Sequence, residues 1–496
     1  MGLFDFNIFK TLNLPKATAE QSEFDIRHLE AVLRTWLNSS TRKEQLLAEQ
    51  YYVGDHDILR REKKVIGADG ELKTINNVIN NKLVDNQYRK LVDQKTNYIL
   101  GKPINIATYD EKYSELLNKV FCKKVHRQLR VLAEYSINGG IAWLHPYYNE
   151  DGDFRLAIFP SYDVCPLWKD NSHTELEAAM RYYPEQVFEK NGSVNTVEHV
   201  DLFTKKGIEH FVYRGGSLIR KEKPRSAYVT YGANDYTWDR LPIIPFKYNN
   251  KEIPLIRGVK CLQDALNQVL SDFQNNMEET PRTSILVLKN YDGTNAAEFR
   301  QNLATYGLIK VTTVDGVQGG VEPLHVEVNA QNYQAILMQL KRAIVENGRG
   351  FDAKEERMDG DPNQMNIESM YTDIDLDVNA IESEFQAGFD ELKWFIDQYL
   401  QNQGEQDYSE EEVDFIFNRD IFINEDAKID NCVKSVGILS DETIRANHPW
   451  CTNEPHEAEL IKQNKEEELA EMDATLKLQA KNAPQQPVQK GSGSDD

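Results

Sequence analysis

Three acidic residues, Asp151, Asp153 and Asp163, are of the type that could bind divalent cations for the hydrolysis of a phosphodiester. Asp151 and Asp153 lie in a predicted hairpin turn, and Asp163 lies in a loop after the next predicted strand. A metal-dependent cytosolic nuclease or hydrolase that uses these scattered carboxylates is therefore one interpretation of the chain. It stays open as an alternative function.

A second candidate metal site is the spacing His448-x-x-Cys451-x-x-x-x-His456, because His and Cys are common zinc ligands. A fourth ligand is lacking, and Pro449 and Trp450 lie within the segment. The sequence therefore predicts a packed turn here, and no structural metal is expected.

Two shorter acidic motifs match a functional site only in part. Asp359-x-Asp361-x-Asn363 resembles the start of a calcium loop, but Gln364 stands where that loop needs Gly and Met370 where it needs Glu. The segment 55–57 (Asp-His-Asp) could act as an acid/base cluster. It follows Gly54 at a predicted helix end, where a capping and turn role is expected.

The nucleotide-binding and hydrolase motifs are missing from this sequence. It contains no G-x-x-x-x-G-K-[ST], no G-x-G-x-x-G after a strand, no G-x-S-x-G and no H-E-x-x-H. We therefore expect no ATPase, dehydrogenase, α/β-hydrolase or zinc-protease activity, and no cofactor.

The segment 348–363 is rich in charges of both signs and is bounded by Gly348, Gly350 and the Gly360–Pro362 segment. Glycine gives the backbone freedom at both ends, which predicts a mobile charged loop over 351–359. Its basic residues are Arg349, Lys354 and Arg357, and its acidic residues are Asp352, Glu355, Glu356, Asp359 and Asp361, with Phe351 among them.

Composition limits the classes of function. The chain has 496 residues, of which 40% are hydrophobic and 28% charged, which is typical of a folded protein. Its net charge of −23 argues against tight, static DNA binding, because such proteins displace counterions with Lys and Arg. The five cysteines include no C-x-x-C pair, and we expect free thiols. Neither a signal peptide nor a membrane span is predicted.

Hydrophobic periodicity predicts an α+β unit in the first half of the chain. Helices are expected over 22–52 with a break at 39–41, over Leu83–Leu100, and over Glu111–Asn138. Seven short β-like runs between Ile141 and Ile219 follow, with a hairpin turn at 149–153, and they predict one antiparallel sheet packed on these helices.

The second half is predicted to be dominated by long helices. Helices over 255–279 and Ala330–Asn347 bracket an insert with strands over Ser284–Leu288, Leu308–Thr313 and Pro323–Val328, which makes a hairpin with a small α/β domain at its tip. A third long helix is expected over Gln364–Leu400. Strands over Val413–Phe417 and Ile421–Ile423 are expected to rejoin the earlier sheet, and helices over Glu425–Ser435, Ser440–Asn447 and Pro455–Gln479 precede a disordered tail.

Three blocks of sequence resemble the portal family of siphophages of Gram-positive hosts. The N-terminal block comprises Tyr51–Ile58, Asn80–Tyr88 and Leu91–Pro103; the central block comprises Tyr135–Gly140, Trp143 and Pro160–Asp163; the C-terminal block is Gly437–Thr443. They occur in the family's order across nearly the whole chain. One departure is the segment Asn363–Asn366, where many relatives carry a Gly/Ser-rich helix start.

The resemblance implies a portal fold and a division of the chain into named regions. These are a helix-rich wing carrying an antiparallel sheet at 1–253, a stem helix at 254–279, a clip at 280–328, a second stem helix at 329–347, a tunnel loop at 348–363, the wing's spine helix and returning strands at 364–426, a crown at 427–479 and a disordered tail at 480–496.

The resemblance also implies function and partners. It implies a dodecameric ring at one capsid vertex of the virion, assembled in the host cytoplasm, that conducts double-stranded DNA during packaging and ejection. The tunnel loop would face DNA through Arg349, Phe351, Asp352, Lys354, Glu355, Glu356 and Arg357. The clip, with Lys289, Arg300 and Lys310, would dock the terminase large subunit and later the head-tail adaptors. The major capsid and scaffolding proteins would be further partners. A generic virion scaffold without DNA transit is the remaining alternative.

Overall fold

A computed structural model of the chain describes residues 14–16, 24–66, 71–74, 79–188, 192–231, 234–279, 285–289, 320–324, 330–352, 364–419, 425–451, 454, 457–466 and 469. It mixes helix and sheet, as the sequence predicts. Two compact units are distinguished: the first comprises residues 1–355 and 370–420, and the second comprises 356–369 and 421–496. None of the described helices is long and apolar enough to cross a membrane.

The N-terminal helices end where side chains cap them. Helix α1 (Ile26–Asn38) and helix α2 (Ser40–Tyr52) are separated at Ser39, whose hydroxyl accepts the Arg42 N–H, so the predicted break is confirmed. The prediction that the next helix begins at Leu83 is wrong. Helix α3 (Gln87–Leu100) begins after Asn86, whose side chain accepts the Arg89 N–H, and residues 79–86 have no regular secondary structure.

The helix predicted over Glu111–Asn138 is two helices, α4 (Glu111–Val120) and α5 (Lys123–Gly139). Phe121 leaves helical geometry between them, and its ring packs against Phe389 and Phe415. Gly140 ends α5 with φ +80°, where a Cβ would overlap the backbone at Glu252.

The seven runs predicted to form one sheet are divided between two antiparallel sheets. The described strands of the first half are β1 (Lys64–Ile66), β2 (Leu72–Thr74), β3 (Asn105–Ala107), β4 (Ile141–Tyr148), β5 (Phe154–Phe159), β6 (Val164–Trp168), β7 (Leu176–Phe188), β8 (Val194–Thr204), β9 (Gly207–Arg214), β10 (Ser217–Ser226), β11 (Val229–Tyr231), β12 (Asn234–Tyr236) and β13 (Ile244–Lys247). One sheet has the order β13-β4-β5 and the other β10-β9-β8-β7-β6, and β1–β2 and β11–β12 form separate two-stranded pairs. The predicted hairpin turn at 149–153 joins β4 to β5.

Each face of the five-stranded sheet contributes to a different hydrophobic core. One face buries Met180, Val200 and Phe211 against Leu29 and Leu33 of α1. The opposite face adds Ala179 and Phe203 to a cluster around Trp143 of the three-stranded sheet. Alternating side chains of single strands therefore stabilise both layers.

Two long helices form the predicted hairpin. They are α6 (Ile256–Glu279) and α7 (Ala330–Asn347), joined side by side through the Phe273 and Tyr333 rings, whose centres are 5.0 Å apart. Between them, β14 (Ile285–Lys289) pairs antiparallel with β15 (Gly320–Leu324). The strand expected over Pro323–Val328 thus begins three residues earlier in the sequence, at Gly320. The insert's remaining predicted elements lie outside the described residues.

Helix α8 (Gln364–Asn402) confirms the third long helix. Its buried stripe includes Ile374, Val378, Ile381, Phe385 and Phe389. The prediction that Val413–Phe417 rejoins the earlier sheet is wrong. Strand β16 (Asp414–Ile416) pairs with β3, because Phe415 and Ile106 lie opposite one another and are both buried.

In the second unit, α9 (Glu425–Lys434) and α10 (Asp441–Asn447) confirm two predicted helices, and residues 457–466 are also helical. Ser440 caps α10 by accepting the Thr443 N–H at 3.3 Å.

Candidate functional site

The first residues of the predicted tunnel loop are held against the body of the first unit. We call Gly348–Asp352 the loop root. Arg349, Phe351 and Asp352 lie in it. The other predicted loop residues, Lys354, Glu355, Glu356 and Arg357, lie outside the described residues.

The two glycines of the loop root permit a close approach to helix α3. A Cβ added to Gly348 or to Gly350 would overlap the Leu91 side chain. Between them, Arg349 adopts a left-handed backbone conformation with φ +48°, which is uncommon for a residue with a side chain. The root therefore follows one defined path out of α7.

A buried ion pair fixes this path. The Lys95 Nζ lies 2.6 Å from Asp377 Oδ2 and donates to the backbone oxygen of Arg349 at 3.1 Å. The Tyr248 hydroxyl donates to the same carboxylate oxygen at 2.8 Å, and the Arg349 guanidinium lies 3.6 Å from the other. Burial lowers the pKa of Lys95, and the Asp377 carboxylate opposes that shift. Helices α3 and α8 are thus joined to the loop root at one carboxylate.

Phe351 is held through both its backbone and its ring. The Gln94 amide nitrogen donates to the Phe351 oxygen at 2.6 Å, and the Phe351 N–H donates to Gln94 Oε1 at 2.9 Å. Its ring stacks on Tyr371 with centres 4.4 Å apart, and Tyr371 stacks on Tyr98. Asp352 is more exposed, with Lys90 at 4.0 Å. Anchoring therefore extends to Phe351.

Of the predicted clip residues, Lys289 is the last residue of β14 and lies opposite Gly320 of β15. Arg300 and Lys310 lie outside the described residues. The antiparallel pairing places Lys289 at the end of a two-stranded ribbon.

The candidate catalytic carboxylates have separate local partners. Asp151 is exposed in the hairpin turn, and Asp153 pairs with Arg155 at 2.7 Å. Asp163 lies in a short turn, where burial raises its pKa to about 6 although Arg181 and Arg42 oppose the shift. Among the residues that the structure describes, no group of three or more His, Cys, Asp or Glu side chains is placed to hold a metal ion.

The two histidine motifs form turns. His448 accepts the Cys451 N–H on its backbone oxygen at 3.0 Å, while His456 lies outside the described residues. The turn predicted at 55–57 leads into a short 3-10 helix. The buried His56 ring lies 3.0 Å from the Tyr51 backbone oxygen through Nε2 and accepts from Asn267 at Nδ1, so it packs inside rather than acting at the surface.

Sequence reasoning missed the residues that grip the loop root. In the sequence, Lys95 lies at four-residue spacing between Leu91 and Ile99 on one side of its helix, and a cation in such an apolar stripe is the one local signal of a buried partner. Asp377 and Gln94 carry no comparable signal, since acids and amides are common on the exposed face of any helix.

Comparison with known proteins assigns the family. The model of the family described as "Phage portal protein, SPP1 Gp6-like" matches residues 38–471. This chain belongs to that portal family. The portal protein of Bacillus phage SPP1 is 27% identical over 435 residues, covering 86% of this chain and 84% of that protein. The portal protein of Clostridium phage phiCD119 is 26% identical over 440 residues, covering 86% of this chain and 93% of that protein.

Portal proteins are structural components of the bacteriophage virion that form oligomeric rings in the phage head. Among solved structures, a chain from the "Virion of native gene transfer agent (GTA) particle" is 12% identical, with a TM-score of 0.39 over 72% of this portal chain and 88% of that chain. A chain from the "Neck of native GTA particle computed with C12 symmetry" is 11% identical, with a TM-score of 0.37 over 73% and 89%.

Proposed function

We propose that this portal chain forms a dodecameric ring at one capsid vertex and conducts double-stranded DNA during packaging and ejection. Membership of the portal family supports the ring and the vertex. The observation that supports a role in DNA conduction is the anchored loop root. A charged segment that leaves a rigid base can be held at the same position in a channel by every subunit of a ring.

The regional division follows the same proposal. Helices α6 and α7 are the stem, the strand pair β14–β15 belongs to the clip at 280–328, and α8 is the wing's spine. Residues 348–363 are the tunnel loop, and 427–479 are the crown. The side-by-side packing of α6 and α7, with a β-ribbon between them in sequence, supports the stem and the clip.

The partners in this proposal come to the clip in succession. The terminase large subunit docks during packaging and supplies ATP hydrolysis, which suits a chain without a phosphate-binding loop motif. Head-tail adaptors take the same surface afterwards. The major capsid and scaffolding proteins surround the wing, and assembly takes place in the host cytoplasm. The chain itself performs no catalysis and needs no cofactor.

The loop charges contact DNA transiently in this account. Beyond the loop root, residues 353–361 carry Lys354 and Arg357 among four acidic residues. Two cations provide brief phosphate contacts, while the surrounding carboxylates prevent lasting attachment to the moving polyanion.

The test is the substitution of Lys354 and Arg357 by Ala in phage that package DNA. We expect normal rings and a reduced amount of packaged DNA per particle. The matched control is Lys205→Ala with Arg214→Ala, which removes two exposed cations from the wing sheet and should leave packaging unchanged. Loss of the ring itself in the loop variant, or an equal packaging defect in the control, would contradict the proposal.

A further inference from the structure

A ladder of buried polar side chains runs along helix α6. Gln263, Asn267, Ser271 and Asn275 follow one another at four-residue spacing, and each is at most 2% exposed. Polar side chains at such positions need hydrogen-bond partners. Each of the four has a backbone partner among residues 81–88, and Asn267 also donates to the His56 ring. We call residues 79–86, which precede α3 and have no regular secondary structure, the strap.

The ladder binds the strap through its backbone. The Asn81 N–H donates to Asn275 Oδ1 at 2.7 Å, and the Leu83 N–H donates to Ser271 Oγ at 2.9 Å. The Asp85 N–H donates to Asn267 Oδ1 at 3.0 Å. Four residues of helix rise about 6.0 Å and two residues of extended chain about 6.6 Å, so alternate strap residues meet successive ladder residues.

Asp85 joins the strap to both helices of the hairpin. Its backbone N–H and C=O bind Asn267 and Gln263 of α6, and its carboxylate pairs with Lys341 of α7 at 2.7 Å. The ladder also reaches the start of α3, where the Tyr88 N–H donates to Gln263 Oε1 at 3.0 Å. The strap therefore cannot shift along α6 without breaking bonds to both long helices.

Helix α3 continues directly from the strap to the loop root. One turn after Tyr88 it presents Leu91, then Gln94 and Lys95, which contact Gly348, Phe351 and Arg349 respectively. We propose that the ladder residues of α6 are positioning residues for the loop root, Gly348–Asp352. They fix the strap, the strap fixes α3, and α3 fixes the loop root. This inference rests on the proposed function only for the statement that the loop meets DNA.

The ordinary alternative is that the ladder merely satisfies the backbone hydrogen bonds of the strap and stabilises the whole unit evenly. The two accounts differ in which residues exchange faster after a ladder side chain is removed. Positioning predicts selective loosening of α3 and the loop root, whereas general stabilisation predicts a uniform effect.

The test is hydrogen–deuterium exchange of the full chain, read on the peptide that contains 348–352. Asn267→Ala removes the bond to Asp85 and also the Asn267 bonds to Gln263 and His56. We expect exchange of this peptide to rise by at least about fivefold, since the loss of one buried hydrogen bond alone gives a change of that order. The matched control is Tyr113→Phe, which removes a buried hydrogen bond to Asp397 elsewhere in the same unit and should leave this peptide unchanged.

A second variant covers the case in which Asn267→Ala does not fold. Lys341 is 47% exposed, so Lys341→Glu breaks the Asp85 pair without touching the core, and the same peptide should exchange about two- to fivefold faster. Unchanged exchange at 348–352 in folded variants, or an equal rise in Tyr113→Phe, would overturn the inference. The exchange measurement uses neither DNA nor a motor. It can therefore contradict the positioning role while the proposed function stands, and the proposed function can be rejected while the positioning role stands.

Discussion

The Lys95 ammonium group and the Asp377 carboxylate, 282 residues apart in the sequence, lie 2.6 Å apart in the interior of the first unit. Lys95 is fully buried there, and Asp377 also accepts a hydrogen bond from the Tyr248 hydroxyl. A buried pair of this kind is costly to break, because removal of one partner leaves an uncompensated charge inside the protein.

We therefore expect Asp377→Ala to lower the free energy of unfolding by about 3–5 kcal/mol, measured by urea denaturation. The double variant Lys95→Met with Asp377→Leu should cost less than Asp377→Ala alone, since no unpaired charge remains. Arg349→Gln is the control, because that side chain is 61% exposed and should change stability by no more than about 0.5 kcal/mol. Equal losses in all three variants would contradict this account of the pair.

The Asp163 carboxyl predicts a specific dependence of stability on pH. Burial raises its folded-state pKa to about 6, above its ordinary value of 3.8, so the folded protein binds this proton more tightly than the unfolded chain. The stabilisation is present below pH about 4 and is lost as pH rises towards 6, with a full change of about 3 kcal/mol. Asp163→Asn should flatten that part of the curve of unfolding free energy against pH. Identical curves for both proteins would contradict the assignment.

The acidic balance of the chain predicts weak DNA binding. At a net charge of −23, purified rings should bind duplex DNA weakly at physiological salt, because we expect the acidic residues to be concentrated along the channel. The measurement is a salt titration of binding by fluorescence anisotropy. Tight binding with a steep inverse dependence on salt would mean many phosphate contacts and would reject this prediction.

The clip is expected to be the docking surface for the motor and later for the adaptors. A domain at the end of two long helices is displaced from the body by roughly 35 Å, which makes it the region best placed to meet a partner outside the shell. Charge reversal of Lys289, Arg300 and Lys310 should impair terminase binding in a pull-down while rings still form.

The control for this prediction reverses two cations of the crown, Lys462 and Lys465. These substitutions should leave terminase binding intact. If terminase binding instead survives the clip reversals and is lost on reversal in the crown, the crown and not the clip is the docking surface.

Local patterns predicted the long helices well, because an apolar stripe such as Ile374, Val378 and Ile381 marks helical period and burial together. They failed where partners are distant in sequence. The strap donates its N–H groups to a helix about 190 residues later, so no local pattern distinguishes it from the first turn of α3. Strand β16 is only three residues long, and nothing in it specifies pairing with β3 rather than with a larger sheet.

In the candidate site, too, local features could be predicted from the sequence and contacts between distant residues could not. The glycines and charges of the loop were visible in the sequence, whereas the grip of Gln94 and Asp377 on its root depends on how α3 and α8 pack. The lysine at position 95 was visible only as an exception in an apolar stripe.

Imaging of the purified full-length chain by electron microscopy tests the central claim most directly. The account predicts rings of twelve copies with a central hole wide enough for duplex DNA, and no cleavage of DNA when divalent cations are added to the same sample. A compact monomer that cleaves DNA in a divalent-dependent manner would contradict it and favour the nuclease.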